Sequence, residues 1–209
     1  WESIKRGLEE DCGIEFEGSV TNFYQGNSSG GLQRKFRYGG HAEYDFDLDF
    51  GTISGWDGFT LKLGSEHRFA DTVNRATGSV APVALAPNLP EPETDDLALI
   101  EVRFGYECSK NFELFWGKLD TLTFDRNAFA HGNGDDRFFS TPFNYNSIAA
   151  KTIPYSALGA GFNIMRDDER VLTLAVLNSE ETPTTVGISD LFANGAVILG
   201  ELRIPVRLL

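Results

Sequence analysis

Three aspartates at alternating positions have types and spacing that could do chemistry. Asp45, Asp47 and Asp49 fall on one side of an extended chain, where alternate residues lie about 7 Å apart. Carboxylates at that spacing could bind Ca²⁺ or act as the acid and base of glycoside hydrolysis. No second catalytic constellation accompanies them, so we predict that the protein is not an enzyme. A weak cation site remains open as an alternative.

The histidines and cysteines predict no further site. His41, His67 and His131 are too dispersed for a metal triad, and Cys12 and Cys108 form neither a CxxC pair nor a Cys/His cluster. We therefore predict no metal site and no cofactor. These residues must instead be understood from the elements that carry them.

Composition restricts the class of protein. The chain has 209 residues with 31 acidic and 18 basic side chains, a formal net charge of -13, which argues against nucleic-acid binding. Its 22 glycines and 17 phenylalanines favour a curved β-sheet over a helical bundle. Nothing in the sequence approaches the roughly 20 consecutive apolar residues of a spanning helix. Strands of a membrane β-barrel need only about 10 residues of alternating character.

The segment 33–50 alternates with a period of two, which predicts one unusually long strand. Its even positions from Phe36 to Phe50 are apolar or small, whereas its odd positions from Gln33 to Asp49 are mostly ionisable. Long strands with two contrasting sides are typical of membrane barrels. The same alternation recurs in seven further segments, giving eight predicted strands. These segments are Ile14–Thr21, Phe59–Arg68, Ala98–Glu107, Phe112–Leu119, Leu158–Ile164, Leu172–Val176 and Ile198–Val206.

The strand pattern also predicts where several single residues lie. Cys12 and Cys108 fall about three strand spacings of 4.8 Å apart, beyond disulfide reach, so we predict free thiols. His67 falls on the apolar side near a strand end, where it would mark a membrane boundary. Trp56 and Trp116 can anchor interfacial belts, although ordinary packing explains them equally well.

The connections between the predicted strands alternate between long and short. Segment 25–31 is predicted as a medium loop, segments 70–93, 123–153 and 180–194 as long loops, and segments 51–58, 109–111 and 166–170 as short turns. A barrel with short periplasmic turns and longer outer loops has this order, with its first strand running outward. Trp1, Ile4 and Leu8 fall at helical spacing before Gly13, which predicts a short periplasmic helix over 1–12.

Taken in order, several short motifs resemble the carbohydrate-selective porins of the OprB type. The resemblance extends over nearly all of the chain. The matching pieces are Leu8–Ile14, Ser29-Gly30-Gly31, Tyr38-Gly39-Gly40, Asp45–Asp49 running into Gly55-Trp56-Asp57-Gly58, Gly117–Asp120, Asp125, Asn127–Ala130 and Phe138-Phe139.

The resemblance implies an antiparallel transmembrane β-barrel of sixteen strands, of which this single domain, 1–209, supplies about half as the N-terminal part. A complete eight-stranded barrel, with an interior filled by side chains, is an alternative. The implied function is passive diffusion of small sugars across the outer membrane of a Gram-negative-type bacterium. Implied partners are outer-membrane lipid, sugars in transit and two further copies in a homotrimer, with no nucleic acid. A soluble carbohydrate-binding β-sandwich is the competing class.

On this interpretation the ionisable side of the strands lines a water-filled pore. Hydrogen-bonding groups there would replace water around sugar hydroxyls. The alternative is that they form only the solvated side of a sheet. The predicted lining residues are Lys35, Arg37, Glu43, Lys62, Arg68, Glu101, Arg103 and Arg203.

Segment 123–153 is too long for a simple connector, and long ordered loops are usually functional. It is the third outer loop, which in porins folds inward and narrows the channel, so we predict a constriction loop. An exposed loop tip is the alternative, because its Gly-Asn-Gly-Asp run is ordinary turn chemistry. The candidate constriction residues are Asp125, Arg126, Asp136, Arg137 and Phe138, with His131, Asp135 and Phe139 beside them.

Overall fold

The chain folds into one antiparallel sheet of eight strands, arranged in sequence order. This computed structural model describes residues 2–90, 97–124, 129, 132–135, 137–145, 152–167, 169–182, 185–189 and 191–204. The strands are β1 (Ile14–Gly26), β2 (Phe36–Asp49), β3 (Phe59–Ala70), β4 (Ala98–Ser109), β5 (Phe112–Asp120), β6 (Ser156–Arg166), β7 (Glu169–Asn178) and β8 (Ala196–Leu202). The predicted all-β antiparallel fold is confirmed. Among the described helices, none has the length and apolar character to cross a bilayer.

Strands β1 and β8 form the two edges of this sheet. Within the described ranges these two strands do not pair with each other, so the sheet is not an eight-stranded barrel closed on itself. All eight strands belong to one sheet, whereas a β-sandwich needs two packed sheets. Neither the small closed barrel nor the sandwich therefore matches the described part of the chain.

Within the described residues, four α-helices with defined bounds accompany the sheet. Helix α1 (Glu2–Cys12) is followed by Gly13. The positive φ of Gly13, 65°, is a left-handed conformation that favours glycine after the end of a helix. The others are α2 (Phe50–Ser54), α3 (Asn74–Thr77) and α4 (Thr141–Asn144). Helix α1 contacts β1 and α2, so it lies at the end of the sheet that carries the short turns.

Strand register sorts the side chains onto two faces. Phe16 is opposite Phe46, which is opposite Leu63, and Leu63 is opposite Val102. On the other side Glu15 is opposite Asp47, which is opposite Lys62. We call these the apolar face and the polar face. Phe36 and Phe46 on the apolar face are 55% and 40% exposed, so no protein layer covers them.

Aromatic rings gather at both ends of the apolar face. At the end with the long loops, Tyr24 stacks on Phe36 with centroids 5.6 Å apart, and Tyr38 lies 6.5 Å from Phe69. At the opposite end five rings form one cluster. They are Phe50, Trp56, Phe59, Phe104 and Trp116. Both tryptophans are exposed, as residues of an interfacial belt are expected to be.

A β-bulge corrects the predicted orientation of the start of β4. Gly64 is opposite Glu101 but Ser65 is opposite Leu99, so Ile100 is an extra residue on β4. Ala98 and Ile100 are buried and Leu99 is 47% exposed, which reverses the faces before the bulge. Alternation alone had assigned Ala98 and Ile100 to the apolar face with Val102. The structure instead turns both side chains toward the polar side.

The predicted contrast between long and short connections holds with one correction. The connections 71–97, 121–155 and 179–195 are long, and 110–111 and 167–168 have only two residues each. The first two connections, 27–35 and 50–58, have the same length, because α2 lengthens what was predicted to be a short turn. Asp49 caps α2 by accepting hydrogen bonds from the Gly51 amide and the Thr52 hydroxyl, both at 2.9 Å.

Two long loops pack onto the polar side of the sheet. Leu85 and Leu89 of the β3–β4 loop form a buried cluster with Ala98, Ile100 and Tyr155. The β5–β6 loop joins them, since the Leu85 amide donates to the Phe139 carbonyl at 2.7 Å. A second apolar cluster lies on the polar face of β5 and β7, at Phe115, Leu119, Ala175 and Leu177. The polar face is therefore charged along β1–β4 and partly apolar along β5–β8.

Candidate functional site

The charged part of the polar face is held together by ion pairs between neighbouring strands. Lys62 Nζ on β3 lies 3.8 Å from Asp45 Oδ1 on β2 and 3.6 Å from Glu101 Oε2 on β4. Glu101 is buried, and Gly64 beside it leaves room, because a Cβ there would lie 3.1 Å from the Glu101 Cβ. The predicted residues Lys62 and Glu101 thus meet on one surface.

Arg103 begins a polar network that crosses four strands. Its guanidinium pairs with Glu113 on β5, and the other Glu113 oxygen accepts from Asn163 Nδ2 on β6 at 2.7 Å. The Thr173 hydroxyl on β7 donates to Asn163 Oδ1 at 2.7 Å. Arg103 also lies over the ring of Phe115, 5.0 Å from its centroid. Asn163 and Thr173 are buried, so this network fixes the charge of Arg103 in place.

Two further predicted arginines lie near the end with the long loops. Arg37 on β2 pairs with Asp71, which directly follows β3. Arg68 on β3 is buried and lines a cavity of about 230 Å³ together with Asp71 and Arg75. Guanidinium and carboxylate groups around such a space can hydrogen-bond hydroxyl groups of a solute.

Of the remaining predicted lining residues, two lie at the margins of this surface and one lies within it. Lys35 lies just before β2 and is exposed, so it belongs to the first loop and not to a strand. Arg203 lies just after β8, where its Nε is 3.5 Å from Glu201 Oε1. Glu43 lies on β2 in the charged part of the polar face, and its Oε2 accepts from the Ser19 hydroxyl at 3.3 Å.

The three alternating aspartates have separate structural roles and do not converge. Asp45 pairs with Lys62, Asp47 is the register partner of Lys62, and Asp49 caps α2. Within the described ranges, the grouping of potential metal ligands falls elsewhere, at His41, Glu43 and Glu66.

Sequence reasoning missed this histidine cluster. His41 and Glu43 alternate on β2, and Glu66 is the register partner of Glu43 on β3. His41 Nε2 lies 2.9 Å from Glu66 Oε2. In the sequence, His41, Glu43 and Glu66 all occupy alternate positions on the ionisable side of their strands. Only the strand register shows that His41 and Glu66 meet.

The β5–β6 loop reaches the polar face. The ring of Phe139 packs edge to face on Phe23 of β1, with centroids 5.9 Å apart. Asp135 lies near enough to His41, Glu43 and Glu66 to interact with their charges. The contact between the rings of Phe139 and Phe23 is what the constriction-loop hypothesis requires.

Only some of the predicted loop residues can be located. Phe138 lies against the rings of Phe129 and Phe143, at centroid distances of 5.3 and 5.7 Å, and Arg137 is exposed. Asp125, Arg126 and Asp136, together with His131, fall outside the described residues.

The predicted free thiols are confirmed, since Cys12 and Cys108 are both unbridged and exposed. Cys12 is the last residue of α1, within the helix predicted over 1–12. His67 lies on the apolar face as predicted, opposite Ala42 and stacked 5.9 Å from Tyr44.

Comparison with solved structures gives a neighbour of the same fold. The chain is similar to OprB from Pseudomonas putida, with a TM-score of 0.69 and 15% sequence identity over 92% of this chain. The match covers 46% of the OprB chain, so this chain spans about half the length of that neighbour. The likeness confirms the fold implied by the resemblance. No protein-family model matches the sequence, and no curated protein matches it significantly.

Proposed function

We propose that this chain is part of an outer-membrane porin through which small sugars diffuse passively. Its apolar face would contact outer-membrane lipid, and its polar face would line an aqueous channel. The chain is similar in fold to OprB over 92% of its length, and its sequence motifs resemble those of the OprB-type porins. The proposed cellular location is the outer membrane of a Gram-negative-type bacterium.

The observation that carries this proposal is the contrast between the exposed apolar face of the sheet and its charged polar face. Phe36, Tyr38 and Ile198 on the apolar face are more than half exposed, although soluble proteins rarely expose apolar patches of that extent. Charges on the opposite face are paired and hydrogen-bonded across β2–β7. A membrane strand that faces lipid on one side and water on the other needs this arrangement.

The spacing of the aromatic belts supports a membrane location. Phe59 and Phe69 lie at opposite ends of β3 on the apolar face. Ten residues of strand span about 33 Å, or about 25 Å along the membrane normal at a tilt of about 40°. That height equals the apolar band of outer-membrane barrels, which is about 25 Å.

Selectivity for sugars is proposed from the polar groups on the wall and the loop against it. Lys62, Arg103 and their acidic partners present both donors and acceptors, which can replace water around sugar hydroxyls without holding the sugar tightly. The inward Phe139 adds an aromatic surface.

Planar-bilayer recording tests the proposal. Purified protein should form open channels in a bilayer, and maltose or glucose added to one side should reduce the ionic current in a concentration-dependent manner. Sucrose and larger oligosaccharides serve as the size series. Vesicles that contain the protein and an impermeant polymer, diluted into isotonic solutions of the same sugars, should swell at rates that fall as the sugar becomes larger. Channels whose current is unaffected by every sugar would indicate a general porin. The absence of any channel would contradict transport altogether.

A further inference from the structure

The group His41, Glu43 and Glu66 has the composition and geometry of an unassigned metal site. One ligand atom from each residue lies within 4.8 Å of the others. His41 and Glu43 project from the polar face of β2, and Glu66 faces them from β3. The three donors are therefore held by two paired strands and not by mobile loops, which favours a preformed site.

Unpartnered atoms in this cluster point to a missing ligand. His41 and Glu66 are each 1% exposed. Among the described residues, His41 Nδ1 and Glu66 Oε1 are buried without a hydrogen-bond partner, although such groups are costly to leave unsatisfied. Glu43 Oε1 is 3.9 Å from His41 Nδ1, too far for a hydrogen bond. One ion can bind one nitrogen of His41, and an ion at Nδ1, on the side of Glu43, would satisfy the unpartnered nitrogen.

The charge around the cluster suits a divalent cation. The two ligand carboxylates, Glu43 and Glu66, carry two negative charges when ionised, which one divalent cation balances. Asp45 and Asp135 lie near enough to add to the negative potential at these carboxylates. Two carboxylates alone would suit Ca²⁺ or Mg²⁺, but an imidazole donor favours Zn²⁺ and neighbouring transition metals.

We propose that His41, Glu43 and Glu66 bind one divalent transition-metal ion, with Zn²⁺ as the representative of the class. The ion lies on the polar face beneath the β5–β6 loop, so its charge attracts Asp135 and holds that loop against the wall. The proposal goes beyond the transport function and does not require it. Channels with normal sugar conductance but no bound metal would overturn the site and leave the proposed function intact.

Isothermal titration with ZnCl₂ on the folded, chelator-treated protein tests the site. We expect one Zn²⁺ per chain, weak or no binding of Ca²⁺ and Mg²⁺, and a loss of at least about tenfold in affinity in His41→Gln and Glu66→Gln. His67→Gln, on the apolar face, is the matched control and should bind as the parent does. The parent for all variants is Cys12→Ser/Cys108→Ser, which removes both thiols as competing ligands.

Folding of each variant is checked by the gel shift between heated and unheated samples. X-ray absorption at the zinc edge of the unmutated His41 protein gives a second readout that needs no variant. It should show nitrogen and oxygen ligands with the scattering pattern of a single imidazole. Absence of stoichiometric Zn²⁺, a spectrum without imidazole, or unchanged affinity in His41→Gln would each overturn the proposal.

Discussion

The ring of Phe139, in the loop after β5, meets the ring of Phe23 on the polar face of β1 at an angle of 86°. Phe23 is 6% exposed, so the loop residue covers it. This single contact joins the long loop to a strand that is four strands away in the sheet. A loop held in this way crosses the polar side, as a constriction must.

Replacing Phe139 by alanine should loosen the loop and enlarge the channel. An edge-to-face aromatic pair contributes about 0.5 to 1.5 kcal/mol beyond its buried area, so its loss favours loop states away from the wall. Single-channel recording should show a higher mean conductance with more frequent fluctuations. Phe143→Ala, in the same loop at a ring that is 66% exposed, is the control and should leave conductance unchanged. Equal effects of both substitutions would place the contact outside the channel.

Lys62→Glu should make the channel more selective for cations. The substitution places a third carboxylate beside Asp45 and Glu101, so the local potential becomes strongly negative. In a KCl gradient the reversal potential should move toward the Nernst potential of K⁺. Lys110→Glu, in the β4–β5 turn, makes the same change of charge away from the wall. A reversal potential identical to that of Lys110→Glu would remove Lys62 from the channel lining.

Val102→Arg should destabilise the folded protein in a bilayer. Val102 lies on the apolar face opposite Leu63, and a charge facing lipid at mid-depth costs about 2 to 4 kcal/mol. Denaturant titration of protein folded into lipid vesicles measures this loss of unfolding free energy. Ser19→Arg, on the polar face opposite Glu43, should cost far less because a carboxylate lies beside it. If the Ser19 variant proves the less stable of the two, the assignment of the faces is reversed.

Asn163→Ala should weaken the sheet from its polar side. Asn163 donates to Glu113 and accepts from Thr173, so its removal leaves two partners unsatisfied at a buried position, at a cost of about 1 to 3 kcal/mol. The same vesicle titration detects the change. Asn111→Ala, at an exposed turn, is the control. A stability equal to that of the control would mean that water replaces the amide and that the network is open to solvent.

Much of the fold followed from the alternation of residues. The period-two run at 33–50 predicted a strand with two contrasting faces, and the structure has Phe36–Asp49 in that role. Gly13 predicted the end of the first helix because a left-handed cap there favours glycine, and the helix ends at Cys12. These features depend only on near neighbours in the chain.

Features that depend on the partner strand were not predictable. Ala98, Ile100 and Val102 alternate without interruption in the sequence, and only the pairing with Gly64 and Ser65 shows the bulge that reverses their faces. The contact between His41 and Glu66 also depends on the pairing of their two strands. The apolar cluster at Leu119 and Leu177 was likewise not predictable. Apolar residues at strand positions that face the polar side do not show in the sequence which other apolar residues they contact.

Nitroxide accessibility along β2 tests the two-faced sheet most directly. Single cysteines from Glu43 to Leu48, placed in the Cys12→Ser/Cys108→Ser background and labelled with a nitroxide, report contact with oxygen in lipid or with a nickel chelate in water. We expect labels at Tyr44, Phe46 and Leu48 to be accessible to oxygen, and labels at Asp45 and Asp47 to be accessible to the chelate. Low accessibility to both reagents at Tyr44, Phe46 and Leu48 would place the apolar face inside protein and contradict its contact with lipid.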